Sequence, residues 1–346
     1  AAESYVRQSG VDGELLERGL AARRILGPHC SPRYPLPAIS LCMIVRDEQR
    51  HLPDCLASCR PLVSQIVVVD TGSNDATPGI AELFGAMVIH HAWRDDFSEA
   101  RNRGLDAATG DWILVMDADE RLSPRDYPLF LQVMEPGKPC AYSMTTRNYC
   151  NDAGLDTFTP LDGSYPEEEA GSGWTPSDKI RLFPNNRGIR FEGLVHELVE
   201  TSVEKAGLSV CHHPVPIHHY GCLERARLER KRGHYYHLGR NKLQQKGEYD
   251  PKALYELAIQ AEELERYDEA RELWQTLLRL EPDAASAWFN LGYVLLRSGQ
   301  IDDALAATER ALALRPAYRP AVVNRAICRF VRQPLQEQFS DLTGEV

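Results

Sequence analysis

The sequence predicts two architectures in one chain: an α/β domain on a mostly parallel sheet, then an all-α repeat domain. Two observations predict them. From residue 38 onward, short apolar runs alternate with helical stretches, and each run breaks abruptly into polar or acidic residues. That alternation means a parallel sheet covered by helices on both faces. After Asp250 the pattern changes to a 34-residue period with small residues at fixed places, the mark of stacked helix pairs.

With 346 residues the chain can bury two separate cores. Its net charge of −11 leaves no global basic field for nucleic acid or an anionic membrane. No apolar run approaches the roughly 20 residues that a membrane span needs, so none is expected. The opening Ala1-Ala2-Glu3-Ser4 shows neither a positive n-region nor an apolar h-region. Nine cysteines, an odd number in apolar or helical contexts, read as reduced and mostly buried thiols, and a cytoplasmic location is expected. Cys55 and Cys59 stand one helical turn apart with no second pair at zinc spacing, and read as packing.

Residues 1–37 form an arm: Leu15, Leu16, Leu20 and Ile25 recur at helical spacing, Gly27-Pro28 closes the helix, and a Pro-rich linker follows. Ile39 to Val45 is a buried-strand candidate that breaks into Arg46-Asp47-Glu48, with a helix from His51 to Cys59. Gln65 to Val69 is a second strand ending at Asp70. The turn after it leads into a helix from Pro78 to Phe84, with Asp75 or Thr77 placed as cap. Ala86 to His90 is a third strand, and Asp96 or Ser98 caps a helix running past Leu105. Gly110 then leads into Trp112 to Met116, a wholly apolar run suited to a strand buried on both faces.

That run stops at Asp117, Asp119 and Glu120. Ligands of open α/β sheets bind beyond the carboxyl ends of the strands. Asp117 and Asp119 are two apart, so an extended chain projects them the same way and they can share a cation. Neither a Gly-x-Gly-x-x-Gly fingerprint nor a P-loop is present, which argues against an oxidoreductase or an NTPase. A bound diphosphate would then be neutralised by Mg²⁺ or Mn²⁺ on Asp117 and Asp119.

Four ordered segments carry a family resemblance: Ser40 to Glu48, Val69 to Thr77, Phe97 to Asn102, and Met116 to Glu120. Together they resemble the successive motifs of inverting family-2 glycosyltransferases with the GT-A fold, over about residues 38 to 222. The resemblance implies a nucleotide-sugar donor, a UDP-sugar being the expectation. By motif, it puts Val45, Arg46 and Glu48 beside the nucleoside and Asp70 on the base. Arg101 would reach the base or the diphosphate, and Asp117 and Asp119 would hold ribose and metal. Arg46-Asp47-Glu48 departs from the commoner Lys or Tyr followed by Asn-Glu.

Cys140 to Arg147 reads as a further strand, and Asn151 to Gly173 as a long mobile loop that is either a substrate lid or a solvated insertion. Trp174 to Phe183 and Ile189 to Glu197 look like motifs of lipopolysaccharide-core and protein-modifying members of the same family. Inverting transfer needs one general base on the acceptor side, away from the metal. Asp178 and Glu197 are the two candidates, with His196 as the neighbour that orients or protonates. His212, His213, His218 and His219 form the chain's histidine cluster. The resemblance suggests a late His-Tyr-Gly motif whose histidine returns to the metal or diphosphate, His219 before His218, with packing for the rest.

Residues 223–250 read as a charged connector helix. Past it, Leu254 falls over Trp288, Ala258 over Gly292, Ala270 over Ala304, and Pro282 over Pro316, each shifted by 34. That is the tetratricopeptide period, and residues 251–346 hold about two and a half units. The expectation is a cytoplasmic, metal-dependent glycosyltransferase, cofactor Mn²⁺ or Mg²⁺, with the repeats favouring a peptide or protein acceptor and a homodimer possible. Two rivals remain: the same chemistry on a lipopolysaccharide or other surface glycan, and a non-catalytic adaptor with a relic GT-A domain.

Overall fold

The computed structural model describes residues 3, 6–7, 12–26, 37–132, 140–153, 157–185, 188–193, 197–224, 233, 236–241, 243–244 and 249–332. The chain divides into two compact units, 1–225 and 226–346.

In the first unit the alternating apolar runs become β1 (Ile39–Val45), α1 (Leu52–Cys59), β2 (Gln65–Asp70), α2 (Thr77–Leu83), β3 (Met87–His90), α3 (Phe97–Ala107) and β4 (Trp112–Val115). All pair in parallel, in the order β3-β2-β1-β4. Val67, Val68, Ile113 and Leu114 are buried because helices cover both sheet faces. Asp96 caps α3 by accepting Glu99 N–H at 2.9 Å. The N-terminal helix Gly13–Leu26 packs Leu16 and Leu20 into this core.

Beyond β4 the sheet turns mixed. Its strands are β5 (Glu120–Arg121), β6 (Cys140–Cys150), β7 (Thr159–Pro160), β8 (Gly173–Pro184) and β9 (Ser209–His219). The path runs β4-β8-β6-β9-β5, with β8 antiparallel to both β4 and β6, and β6 parallel to β9. The parallel arrangement therefore holds for the first half of the domain, whereas long strands that reverse direction build the second. The second core of this unit gathers Cys42, Val67, Leu105, Ile113, Phe183 and Phe191 on the α3 side.

The described part of the 151–172 loop is tied down. The Tyr220 hydroxyl donates to the Glu168 carbonyl at 2.8 Å, and the Arg147 guanidinium lies 4.7 Å from the centres of both the Tyr165 and Trp174 rings.

The second unit stacks α4 (Pro251–Glu263), α5 (Tyr267–Leu280), α6 (Ala285–Arg297), α7 (Ile301–Leu314) and α8 (Arg319–Arg332). The small residues of the 34-residue period are where helices touch: Ala258, Ala270, Ala304 and Ala311 are fully buried. A Cβ on Gly292 would stand 2.5 Å from Thr308 Oγ1, so α6 and α7 approach as closely as glycine allows. Trp274 is fully buried at the centre of this core. Most of the expected connector helix lies outside the described residues.

Candidate active site

The parallel strands deliver their polar ends to one edge. There the loops after β1 and β2 are zipped together: Asp47 N–H donates to Ser73 Oγ (2.9 Å), Asn74 N–H to Asp47 Oδ1 (2.7 Å) and Glu48 N–H to Thr77 Oγ1 (2.7 Å). Asp47 sits at φ 54°, a left-handed conformation that Asp tolerates better than most residues. Val45 is buried beneath this edge and Arg46 is exposed on it. Asp70 is buried at the end of β2, accepts Ser73 N–H at 3.2 Å and stands 3.3 Å from His90 Nδ1.

After β4, residues 117–120 form a turn closed by Glu120 N–H on the Asp117 carbonyl (3.0 Å), while Glu120 Oε2 accepts Asp117 N–H at 2.7 Å. A turn, rather than the extended chain expected, therefore carries the two aspartates. Asp117 Oδ1 accepts from Arg101 Nη2 at 2.9 Å, and Oδ2 lies 3.6 Å from Arg181 Nη1. Burial favours the neutral acid, but Arg101, Arg181 and Lys179 outweigh it and hold Asp117 well below the usual carboxylate range.

Asp119 turns the other way. It is buried, and its Oδ2 lies 3.3 Å from His219 Nε2 at the end of β9. His219 Nδ1 is 2.7 Å from Asn148 Oδ1, and the Asn148 amide nitrogen donates to the Thr175 carbonyl (2.9 Å) and Ser177 Oγ (3.0 Å). Those bonds aim the Asn148 oxygen at the ring, so Nδ1 carries a proton and Nε2 faces Asp119. Burial works against the charged ring, yet the bond to Asp119 and its charge raise His219 to about 10. His218 points to the opposite face, bonded to the Tyr149 hydroxyl at 2.7 Å, and burial pushes it down to about 3. His213 is buried against the Phe130 carbonyl.

Gly221 completes this corner. A Cβ there would stand 2.3 Å from Asp119 Oδ2 and 2.7 Å from His219 Nε2, so glycine leaves a space that both atoms face. Adjacent ligands of an octahedral ion with bonds of about 2.1 Å lie about 3.0 Å apart. The observed 3.3 Å is that of the His219–Asp119 ion pair, and a bound ion would take the place of the Nε2 proton between the same two atoms. Among the described residues no group of three or more His, Cys, Asp or Glu side chains converges as a complete metal cage. A two-residue site of this kind suits Mg²⁺ or Mn²⁺, which take remaining ligands from water and substrate phosphates.

The two base candidates stand apart. Glu197 accepts Arg101 Nε at 2.6 Å and lines a pocket with Arg101, Lys179, Arg181 and Phe191. Asp178 is exposed on β8 and accepts the Thr145 hydroxyl at 2.6 Å. His196 lies outside the described residues. Arg101 joins Asp117 and Glu197 by ion pairs at 2.9 and 2.6 Å, and although burial opposes its charge, the two carboxylates raise its pKa above the ordinary value. Three participants escaped the sequence: Arg181, Asn148 and Gly221. Only the His-Tyr-Gly run could have signalled Gly221, as the glycine next to a suspected ligand.

Residues 40–195 match glycosyl transferase family 2, and residues 255–319 match a tetratricopeptide repeat. A TPR repeat-containing protein of Synechococcus elongatus is 34% identical over 326 residues, covering 80% of this chain and 76% of that protein. The SPbeta prophage-derived glycosyltransferase SunS of Bacillus subtilis is 29% identical over 163 residues, covering 46% of this chain and 34% of that protein. A PGL/p-HBAD biosynthesis glycosyltransferase of Mycobacterium bovis is 34% identical over 98 residues, 26% of this chain and 38% of that one. The fold is a mixed α/β sheet domain of GT-A type followed by tetratricopeptide helices, and the chemistry it carries is glycosyl transfer. The chain carries a glycosyl transferase family 2 domain followed by tetratricopeptide repeats.

Proposed function

We propose that the protein is a metal-dependent, inverting glycosyltransferase that moves a sugar from a nucleotide-sugar donor, a UDP-sugar, to a peptide or protein acceptor. The observation that carries this is the Asp119–His219 pair, held 3.3 Å apart around the space left by Gly221 at the carboxyl edge of the sheet. Asp119 and His219 would hold Mn²⁺ or Mg²⁺, which when bound supplies the Lewis acidity that stabilises a departing diphosphate. Asp70, with Val45, Arg46 and Glu48 along the same edge, would seat the nucleoside.

Glu197 is one base candidate, a carboxylate in the pocket held at 2.6 Å by Arg101 Nε. Asp178 is the second, favoured by its exposure and by a neutral partner in Thr145.

The repeat unit supports a protein acceptor. Tyr255, Phe289 and Val323 stand 34 apart, as do Ile259, Tyr293 and Ile327, forming an apolar ladder across α4, α6 and α8. Val323 is 58% exposed and Ile327 44%, so the ladder's last rung is open to a partner. Calorimetric titration of a UDP-sugar panel, with and without Mn²⁺, tests the donor half of the proposal. At least one UDP-sugar should bind, and more tightly with the metal; a panel that never binds rejects it.

A further inference from the structure

Arg181 is the buried charge that the chemistry above leaves unused. It owes its place to an irregularity in the sheet. Successive β6 residues Tyr142 and Ser143 pair with Leu182 and Ile180, so β8 carries one extra residue, Arg181, at a bulge. A bulge re-aims a side chain, and here it turns Arg181 inward, where it is only 3% exposed. Arg181 Nη2 donates to Glu120 Oε1, Nη1 lies 3.6 Å from Asp117 Oδ2, and Nε is buried with no hydrogen-bond partner among the described residues. Arg101, lining the same pocket, repeats the pattern: Nε serves Glu197, Nη2 serves Asp117, and Nη1 is buried without a hydrogen-bond partner among the described residues.

Two guanidiniums thus converge on one carboxylate, and each keeps a buried N–H donor unspent. Buried donors without partners are rare enough to call for an explanation. Carboxylate and phosphate present guanidinium with the same pair of oxygens, and both are bound bidentately. We propose that Asp117 occupies the seat of an anionic phosphoryl group in the ligand-free protein. On donor entry, Arg181 and Arg101 exchange Asp117 for the diphosphate of the nucleotide sugar, an inference that presupposes the donor named above. The exchange makes and breaks no covalent bond; it swaps one anion for another and frees Asp117 for the ribose or the metal. Glu120 holds Arg181 Nη2 throughout, so Arg181 offers the incoming anion its Nη1 while Arg101 offers Nη1 and Nη2. Arg181 is then a diphosphate ligand whose charge is independent of any ion at Asp119 and His219.

The test uses the full chain, its Arg181→Met and Arg181→Lys variants, and three probes: UDP, inorganic pyrophosphate and uridine, each with EDTA and with Mn²⁺. Losing a charge-assisted contact should weaken UDP and pyrophosphate about 10- to 100-fold in both conditions and leave uridine unchanged. Arg181→Lys should recover part of the loss. Should the Met variant fail to fold, Arg181→Lys alone decides, with UDP weakened about tenfold relative to uridine. UDP binding unchanged in the variants overturns the inference. So does a parallel loss of uridine, which would show Arg181 merely propping the acidic turn. A wild-type chain that binds neither UDP nor pyrophosphate brings down the donor proposal and this inference with it.

Discussion

At the scale of single residues, the site depends on side chains that sequence spacing identified and on others that only the fold brings in. Asp117 and Asp119 were legible because an apolar run ends at them, and Asp70 and Arg101 through the motifs that resemble family-2 glycosyltransferases. Their geometry was not. The turn at 117–120 sends Asp117 to Arg101 and Asp119 to His219, and no spacing rule reveals a turn closed by one backbone bond. Asn148 and His219 meet because β6 and β9 pair in register, Asn148 against His219, across 71 positions of sequence. Gly221 is the sharpest single-residue prediction. Gly221→Ala would put a methyl group 2.3 Å from Asp119 Oδ2, so Mn²⁺ affinity measured by electron paramagnetic resonance should fall more than about tenfold while the fold survives. Unchanged affinity would mean that the ion binds elsewhere.

Among the elements, the parallel strands β1 to β4 were readable from continuous apolar runs, since burial on both faces leaves no polar alternation to confuse them. The later strands were harder. β8 mixes exposed Asp178 and Lys179 with a wholly buried end at Leu182 and Phe183, and its bulge at Arg181 breaks the period of two on which any strand reading depends. β9 holds a titration of its own. Burial keeps His213 neutral and pushes it down to about 4. A depressed folded-state value means that the unfolded chain takes up the proton first. The associated stability is therefore full above about pH 6.5 and drains away as pH falls towards 4, by about 3 kcal/mol at most. Urea unfolding of the full chain should show that decline, to which the more strongly depressed His218 also contributes, and His213→Asn should make it shallower. An equally steep decline in the variant would remove His213 as the cause.

For the whole molecule, the sequence revealed two units because their periodicities differ in kind: alternation of strand and helix against a strict repeat of 34. Small residues at Ala258, Gly292 and Ala304 announced the helix contacts, and those positions are where the helices of the second unit press closest. With an overall balance of −11 the chain offers a diphosphate no global attraction, so local cations such as Arg101, Lys179 and Arg181 would supply it before a metal joins. Everything in the proposed mechanism then converges on Asp119, the buried carboxylate that faces His219 at the sheet's edge. The most direct measurement compares the affinity of the wild-type chain and of Asp119→Asn for a bound UDP-sugar, with and without Mn²⁺. Wild type should bind at least about tenfold more tightly with Mn²⁺, and Asp119→Asn, which folds but loses a charged ligand, should show no such gain. An equal gain in both proteins, or none in wild type, would contradict the account.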